Sequence, residues 1–195
     1  MSDPTRMARP STIPGVRWGE VARHADTRGT FRELWRAGWF VDAAAAGVPQ
    51  MQFRQANLST SAPGVLRGLH LHRRQLDYWV VAEGRAFVAL VDARPLLEGR
   101  SHRPIVETRE VAADATVTIP AGVAHGFLAL DALQVVYLVT AEYDATDELG
   151  FAWDDPLAAV RWPGVPGTGD GRPILSGRDR ANPTQAALVE RLRVE

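Results

Sequence analysis

The sequence predicts an all-β domain, built as an antiparallel sandwich or barrel. Short runs of alternating apolar and polar residues dominate the chain, for example 78–94, 109–120 and 126–140. Glycine, proline, aspartate or asparagine separates these runs, as is typical of turns between antiparallel strands. We read Glu83-Gly84 and Asp131-Ala132 as hairpin tips. A chain of 195 residues is long enough to bury one sizeable core, so a single domain is expected.

Composition divides the chain into three segments. Residues 1–15 are rich in Pro, Ser and Thr and predict a flexible N-terminal arm. The barrel domain is expected over residues 16–181. Residues 182–195 predict a helix packed on or beside the barrel, because Asn182 can cap it and an apolar stripe follows.

Charge and residue usage exclude several classes of function. The net charge of −1 gives no basic excess for binding nucleic acid. Cysteine is absent, which excludes disulfides, thiolate nucleophiles and cysteine-ligated zinc. All 22 basic residues are arginine, so the chain has neither a Schiff-base lysine nor a P-loop lysine. No apolar run is long enough to span a membrane and no signal peptide is evident, which predicts a cytoplasmic protein.

Three of the five histidines fall in a pattern of possible metal ligands. His70 and His72 are two residues apart, so on a strand they point to the same face. A turn can return the chain so that Asp77 lies on the next strand, and His125 follows a Pro-Ala-Gly turn. Three histidines and one carboxylate are a suitable set for a divalent ion such as zinc, nickel, iron or manganese. The alternative is a hydrogen-bonded polar cluster without metal.

The spacing resembles the two motifs of the cupins. The first motif, G-x5-H-x-H-x4-E-x6-G, is matched from Gly64 to Gly84 with Asp77 in place of glutamate. The second, P-x-G-x2-H, is matched from Pro120 to His125. This resemblance implies a jelly-roll β-barrel, an antiparallel double-stranded β-helix with short flanking helices.

Further stretches, which occur in family order over roughly residues 20–180, resemble the dTDP-4-dehydrorhamnose 3,5-epimerase family, the RmlC-like cupins. They are DTRGTFRE (26–33), QAN (55–57), STS (59–61), GVLRGLH (64–70), VDAR (91–94), PAGVAHGF (120–127), WDDP (153–156) and LSGRD (175–179). The resemblance implies an isomerase without a cofactor, a homodimer as in that family, that acts on a dTDP-4-keto-6-deoxyhexose by 3- and/or 5-epimerisation.

The resemblance also implies roles for individual residues. His70 removes the proton next to the 4-keto group, Asp179 orients His70, and Tyr137 returns a proton from the other face. A neutral histidine near its working pKa is a suitable base, and a carboxylate fixes its tautomer. Arginine donors suit diphosphate oxygens. The implied substrate-binding positions are Arg28, Phe31, Glu33, Gln55, Asn57, Arg67 and His125.

One position departs from the family in a way that affects the chemistry. The family's lysine after the GLH segment, which steadies the enolate, falls on Asp77 here, and a carboxylate there opposes an enolate. A divalent ion could supply the missing charge. His70 cannot be both a metal ligand and the base. Either His70 is free and the enzyme works like its relatives, or His70 binds metal and another group is the base. The alternative functions are a metal-dependent cupin enzyme of another class, such as a lyase or oxygenase, and a sugar-nucleotide binding cupin without epimerase activity.

Overall fold

Two five-stranded antiparallel sheets form the body of the protein, as a computed structural model of the chain shows. The structure describes residues 10–40, 52–165, 168–169 and 171–194. The strands are β1 Arg17–Glu20, β2 Arg23–Asp26, β3 Gly29–Arg32, β4 Gln55–Ser61, β5 Leu66–Leu71, β6 Asp77–Glu83, β7 Arg85–Asp92, β8 Ile105–Ala112, β9 Ala115–Ile119, β10 Val123–Ala129, β11 Leu133–Val139 and β12 Leu149–Gly150. A 3-10 helix spans Ala37–Phe40, and the α-helices are α1 Arg94–Leu97, α2 Gly177–Arg180 and α3 Gln185–Val194.

The chain alternates between the two sheets as it winds. The first sheet has the order β1-β9-β6-β11-β4 and the second β12-β5-β10-β7-β8, while β2 and β3 form a separate hairpin. From β4 to β7, and again from β8 to β11, each strand is followed by one in the opposite sheet. This winding is the jelly-roll of a cupin, so the predicted fold class is confirmed.

The two predicted hairpin tips are turns, but they do not form hairpins. Gly84 and the segment Asp131-Ala132 do reverse the chain, but each connects a strand of one sheet to a strand of the other. Gly84 has φ +79°, and a Cβ placed on it would lie 2.2 Å from the carbonyl oxygen of Ala132. The two corners therefore pack against each other. Turn residues indicate a reversal, but they do not indicate which sheet the next strand joins.

The inner faces of the sheets change from apolar to polar along their length. Alternate residues of a strand point to the same side. On β6 and β11 the inward residues Trp79, Val81 and Val135 belong to the buried core. Trp79 and Val135 also border a cavity, which Asp77 and Tyr137 line farther along the same faces. The core thus fills one end of the barrel, and the other end is left open and polar.

The C-terminal helix covers the outer face of the second sheet. Leu188 of α3 is buried in a cluster with Leu69, Ala124 and Phe151, so a helix does pack on the barrel. The helix begins at Gln185, and its capping residue is Thr184 instead of the predicted Asn182, because the Thr184 hydroxyl accepts a hydrogen bond from the Ala187 N–H at 3.2 Å. None of the helices in the described ranges is long and apolar enough to cross a membrane.

The described part of the predicted N-terminal arm is held against the barrel. Ser11 and Thr12 donate hydrogen bonds to the Glu107 carboxylate, and Ile13 is buried in the core between the sheets. Residues 1–9 lie outside the described residues. The proline-rich composition of this segment gave no sign of these contacts, which depend on a carboxylate 95 residues away.

Candidate active site

A cavity of about 390 Å³ occupies the polar end of the barrel. It is bounded by strands from both sheets and by the segment that carries α2. The sequence-predicted residues that line it are Gln55, Asn57, Arg67, His70, His72, Asp77, His125, Tyr137 and Asp179. Most of the predicted site residues therefore meet at one place, although they come from distant parts of the chain.

His70 and Asp179 form a hydrogen-bonded pair on the cavity wall. His70 Nε2 lies 2.7 Å from Asp179 Oδ1. Asp179 is fixed in turn by its own N–H, which donates to the Ser176 hydroxyl that caps α2. An ionised carboxylate only accepts hydrogen bonds, so Nε2 of His70 carries the proton and Nδ1 keeps its lone pair. Nδ1 is then the nitrogen that can accept a proton from a substrate.

The environment of Asp179 favours its ionised form. Burial acts to raise the pKa of Asp179, but the hydrogen bond and charge of His70, the Ser176 hydroxyl and the positive charge of Arg178 together bring it below its ordinary value. The carboxylate is therefore ionised at neutral pH. A permanent negative charge at this place stabilises the protonated imidazole that forms when His70 takes up a proton.

Tyr137 faces the cavity from the sheet opposite His70. It lies on β11 of the first sheet and His70 on β5 of the second. Burial raises the pKa of Tyr137, and the carboxylates of Asp77 and Glu148 act in the same direction, against the opposing charge of Arg67. The phenol therefore keeps its proton at neutral pH, which is the state required of a proton donor.

A second histidine cluster lies deeper in the same cavity. The ligand atoms of His72, Asp77 and His125 all lie within 4.8 Å of one another, and the three side chains are buried. The distance from His125 Nε2 to Asp77 Oδ2 is 3.6 Å. His70, the fourth residue of the predicted metal set, is not part of this group. Strand alternation put His70 on the correct face, but its ring is bound to Asp179 instead.

Backbone carbonyls fix both histidines of this cluster. His72 Nδ1 lies 2.9 Å from the Asp147 carbonyl oxygen, and His125 Nδ1 lies 3.1 Å from the Val123 carbonyl oxygen. A carbonyl oxygen can only accept, so each Nδ1 carries a proton. Burial lowers the pKa of His125 to about 4, against the nearby charge of Asp77. Its imidazole is therefore neutral at physiological pH.

Strand β4 supplies a polar wall to the cavity. Gln55, Asn57 and Ser59 alternate along it and all line the cavity. The Gln55 side-chain amide donates to the Asn57 side-chain oxygen at 2.8 Å. Arg67, near the cavity mouth, donates to the Ser61 hydroxyl and the Thr60 carbonyl. Its guanidinium is thus held in place while it borders the cavity.

Three of the predicted substrate-binding residues lie away from this cavity. Arg28, Phe31 and Glu33 belong to the β2-β3 hairpin and the residues just after it, and none of them lines the cavity. Arg28 is paired with Asp26, Glu33 is paired with Arg36, and Phe31 is 64% exposed. Within one chain, the structure does not bring this motif to the site.

Sequence reasoning missed several cavity residues. Arg178 donates to the Glu148 carboxylate at 2.5 Å, and both line the cavity. Gln75 and Trp79 also line it, and both donate to the Asp77 carboxylate. Arg178 precedes Asp179 within LSGRD and could have been found from that motif. Glu148 follows no pattern, because only the pairing of β12 with β5 brings it to the site.

Comparison with known proteins shows the family to which the chain belongs. A sequence model of the family described as dTDP-4-dehydrorhamnose 3,5-epimerase matches residues 10–187. The chain belongs to the dTDP-4-dehydrorhamnose 3,5-epimerase family. It is 37% identical over 187 residues to the dTDP-4-dehydrorhamnose 3,5-epimerase of Mycobacterium tuberculosis, covering 91% of this chain and 86% of that one.

Solved structures agree with this family membership. ChmJ, a 3'-monoepimerase from Streptomyces bikiniensis in complex with dTDP-quinovose, superposes with a TM-score of 0.77 at 30% identity, over 94% of this chain and 89% of that one. RmlC from Legionella pneumophila, in complex with dTDP-4-keto-L-rhamnose, gives a TM-score of 0.79 at 27% identity, over 95% and 96%.

Proposed function

We propose that this protein is a nucleotide-sugar epimerase that acts next to the 4-keto group of a dTDP-4-keto-6-deoxyhexose. The observation that carries the proposal is the placement of His70, backed by Asp179, and Tyr137 on opposite sheets around one cavity. A base on one side of a sugar ring and an acid on the other are what inversion at a carbon requires. The relatives that bind dTDP-sugars supply the substrate class.

The proposed reaction begins at His70. Nδ1 of His70 takes the proton from the carbon next to the ketone, and the electron pair of that C–H bond moves onto the ketone as an enolate. Asp179 stabilises the imidazolium that results. Tyr137 then gives its proton to the same carbon from the opposite face, and the enolate returns to a ketone. Tyr137 recovers a proton from solvent and His70 releases one, so the reaction is balanced without a redox step.

The arginines of the cavity suit the nucleotide diphosphate. Arg67 and Arg178 both border the cavity, and a guanidinium binds phosphate oxygens through a planar fork of donors. Gln55 and Asn57 offer amide groups for the sugar hydroxyls or the base. We propose that these four side chains hold the substrate with the reacting carbon between His70 and Tyr137.

We propose further that the protein works as a homodimer. The hairpin that carries Arg28 and Phe31, two of the family-motif residues, is exposed and lies outside the chain's own cavity. A second copy could bring this hairpin to the cavity mouth, which would explain why a large aromatic side chain is 64% exposed. Light scattering gives the mass in solution, and Phe31→Ala should raise KM for the nucleotide sugar. A fully active monomer would contradict this part. The cytoplasmic location stays a prediction.

The test of the epimerase function is exchange with solvent. The protein is incubated with dTDP-4-keto-6-deoxyglucose in deuterium oxide, and NMR follows deuterium at C3 and C5 of the sugar. We expect deuterium to enter at one or both carbons at a rate proportional to enzyme, with His70→Asn inactive and His102→Asn, an exposed histidine outside the cavity, unchanged. A wild-type protein that binds the sugar nucleotide but exchanges neither position would refute the proposal.

A further inference from the structure

His72, Asp77 and His125 bring their ligand atoms together in one buried space, all within 4.8 Å of one another. In each ring Nδ1 is hydrogen-bonded to a backbone carbonyl, which leaves Nε2 as the ring nitrogen available to bind a ligand. Nε2 of His125 faces Asp77 Oδ2 at 3.6 Å, which is too long for a hydrogen bond. Two lone-pair donors and an anionic oxygen therefore converge in a buried space, an arrangement that a cation would satisfy.

The surroundings of the three side chains hold them in this arrangement. Gln75 donates to Asp77 Oδ1 at 2.8 Å, and the Trp79 indole N–H donates to Oδ2 at 3.1 Å. One hydrogen bond to each oxygen orients the carboxylate and leaves further lone pairs for a ligand bond. Histidine ligands of metals characteristically donate their other N–H to a carbonyl or carboxylate, and ligating carboxylates are themselves hydrogen-bonded. His72, Asp77 and His125 have all of these supports.

We propose that His72, Asp77 and His125 bind a divalent transition-metal ion, with His70 outside the coordination shell. Two imidazoles and one carboxylate suit Zn²⁺, Fe²⁺, Ni²⁺ or Mn²⁺. The cluster lines the cavity, so at least one coordination position faces the substrate space. The site uses the three buried side chains within 4.8 Å of one another and leaves His70 with Asp179.

The assignment removes the conflict over His70. If His70 were a ligand, its lone pair would be consumed and could not accept a proton. Its bond to Asp179 instead leaves Nδ1 available. A three-residue site and the His70–Asp179 pair can therefore operate together in one cavity.

The consequence for catalysis rests on the proposed function. An enolate needs a positive charge or donors near its oxygen, and this chain has no lysine anywhere. The negative charge of Asp77 alone would oppose the enolate, whereas a bound dication reverses the local sign and can stabilise the oxygen directly. The metal would thus place beside Asp77 the positive charge that an enolate oxygen needs.

Metal binding is tested without substrate. Protein stripped with a chelator and desalted is exposed separately to Zn²⁺, Ni²⁺, Mn²⁺ and, without oxygen, Fe²⁺, and bound metal is measured by mass spectrometry after gel filtration. We expect about one equivalent per chain of at least one metal, retained in His70→Ala and in His24→Ala, and lost in His72→Ala and Asp77→Ala. Addition of the bound metal should raise the Tm of wild type, His70→Ala and His24→Ala, but not that of His72→Ala or Asp77→Ala.

The outcomes separate the two proposals. Failure of the wild type to retain any of the four metals would overturn the site, and loss of metal in His70→Ala equal to that in His72→Ala would overturn the three-residue assignment. If Asp77→Ala does not fold, metal retention by the wild type and by His70→Ala still tests the site. Metal retention without solvent exchange would refute the epimerase function but keep the site. If both hold, Asp77→Lys should bind no metal and its activity should be insensitive to chelators.

Discussion

His70 and His72 are two residues apart and lie on the same face, but their rings have different hydrogen-bond partners. His70 is hydrogen-bonded to the Asp179 carboxylate at 2.7 Å, whereas His72 is bonded to the backbone carbonyl of Asp147 at 2.9 Å. A carboxylate partner raises the basicity of an imidazole, while a carbonyl partner mainly fixes its orientation. Two histidines separated by one residue thus fit two tasks, proton transfer and ligand binding.

Replacing Asp179 tests how His70 is oriented. Asp179→Asn keeps the shape of the side chain but removes the charge that holds the proton on Nε2 and stabilises the imidazolium. We expect kcat to fall by about 100-fold or more, with KM nearly unchanged. Steady-state kinetics check this against Asp131→Asn, an exposed carboxylate at a barrel corner. Equal kcat in wild type and Asp179→Asn would show that the pair is structural only.

Variants of Tyr137 and His70 should be impaired at different steps of the reaction. Tyr137→Phe removes the proton donor but leaves the base, so we expect deuterium exchange to continue while inversion slows by about 100-fold. His70→Asn should abolish both processes. NMR in deuterium oxide, with the configuration of the product determined separately, distinguishes the two variants. If Tyr137→Phe and His70→Asn lose exchange to the same extent, Tyr137 does not act after His70.

Arg67 should contribute to affinity for the diphosphate. Its guanidinium borders the cavity and is held by Ser61 and Thr60. A hydrogen bond to a charged group contributes about 1.5–3 kcal/mol, so Arg67→Ala should raise the Kd for dTDP by about 10- to 100-fold. Calorimetry provides the measurement, with Arg85→Ala, whose side chain pairs with Asp131 and Glu110 outside the cavity, as the control. Unchanged affinity in Arg67→Ala would exclude the contact.

Glu107 should make stability depend on pH. Burial acts to raise the pKa of Glu107, but Ser11, Thr12 and Arg109 bring it below its ordinary value. A carboxylate with a lowered folded-state pKa stabilises the protein above its unfolded-state pKa of about 4.3, and this contribution is lost as the pH falls through the folded value.

Glu107→Gln therefore should cost about 2–4 kcal/mol in the free energy of unfolding at neutral pH. The difference from wild type should shrink as the pH falls below about 4. Urea unfolding at several pH values measures this, and Glu110→Gln on the same strand, an exposed residue, is the matched control. A difference between wild type and Glu107→Gln that stays constant with pH would contradict the assignment.

The sequence predicted the fold well and the site in part. Alternating runs indicated strands, but only the structure shows which sheet each strand joins, as the corners at Gly84 and Ala132 illustrate. Strand alternation placed His70 and His72 on one face correctly. It could not predict that His70 turns toward Asp179, because that contact joins residues 109 positions apart.

Other site residues depended on resemblance or on nothing visible in the chain. Asp179 was named only because LSGRD matches a family segment. Glu148 reaches the cavity because β12 pairs with β5, and a two-residue strand has too little pattern to be predicted. Arg28 and Phe31 matched the family equally well, yet lie outside the cavity, because a sequence match does not give the position of a side chain in the fold.

Asp179 lies on α2, after the last strand, so it is synthesised after all the strands of the barrel. Every strand that the structure describes is complete by Gly150, but the partner of His70 is synthesised 29 residues later. On the ribosome, a nascent chain that ends at Gly150 holds all of these strands and both side chains proposed for proton transfer, His70 and Tyr137, but not the carboxylate to which His70 is hydrogen-bonded. The proposed site is thus complete only after the C-terminal segment has been synthesised.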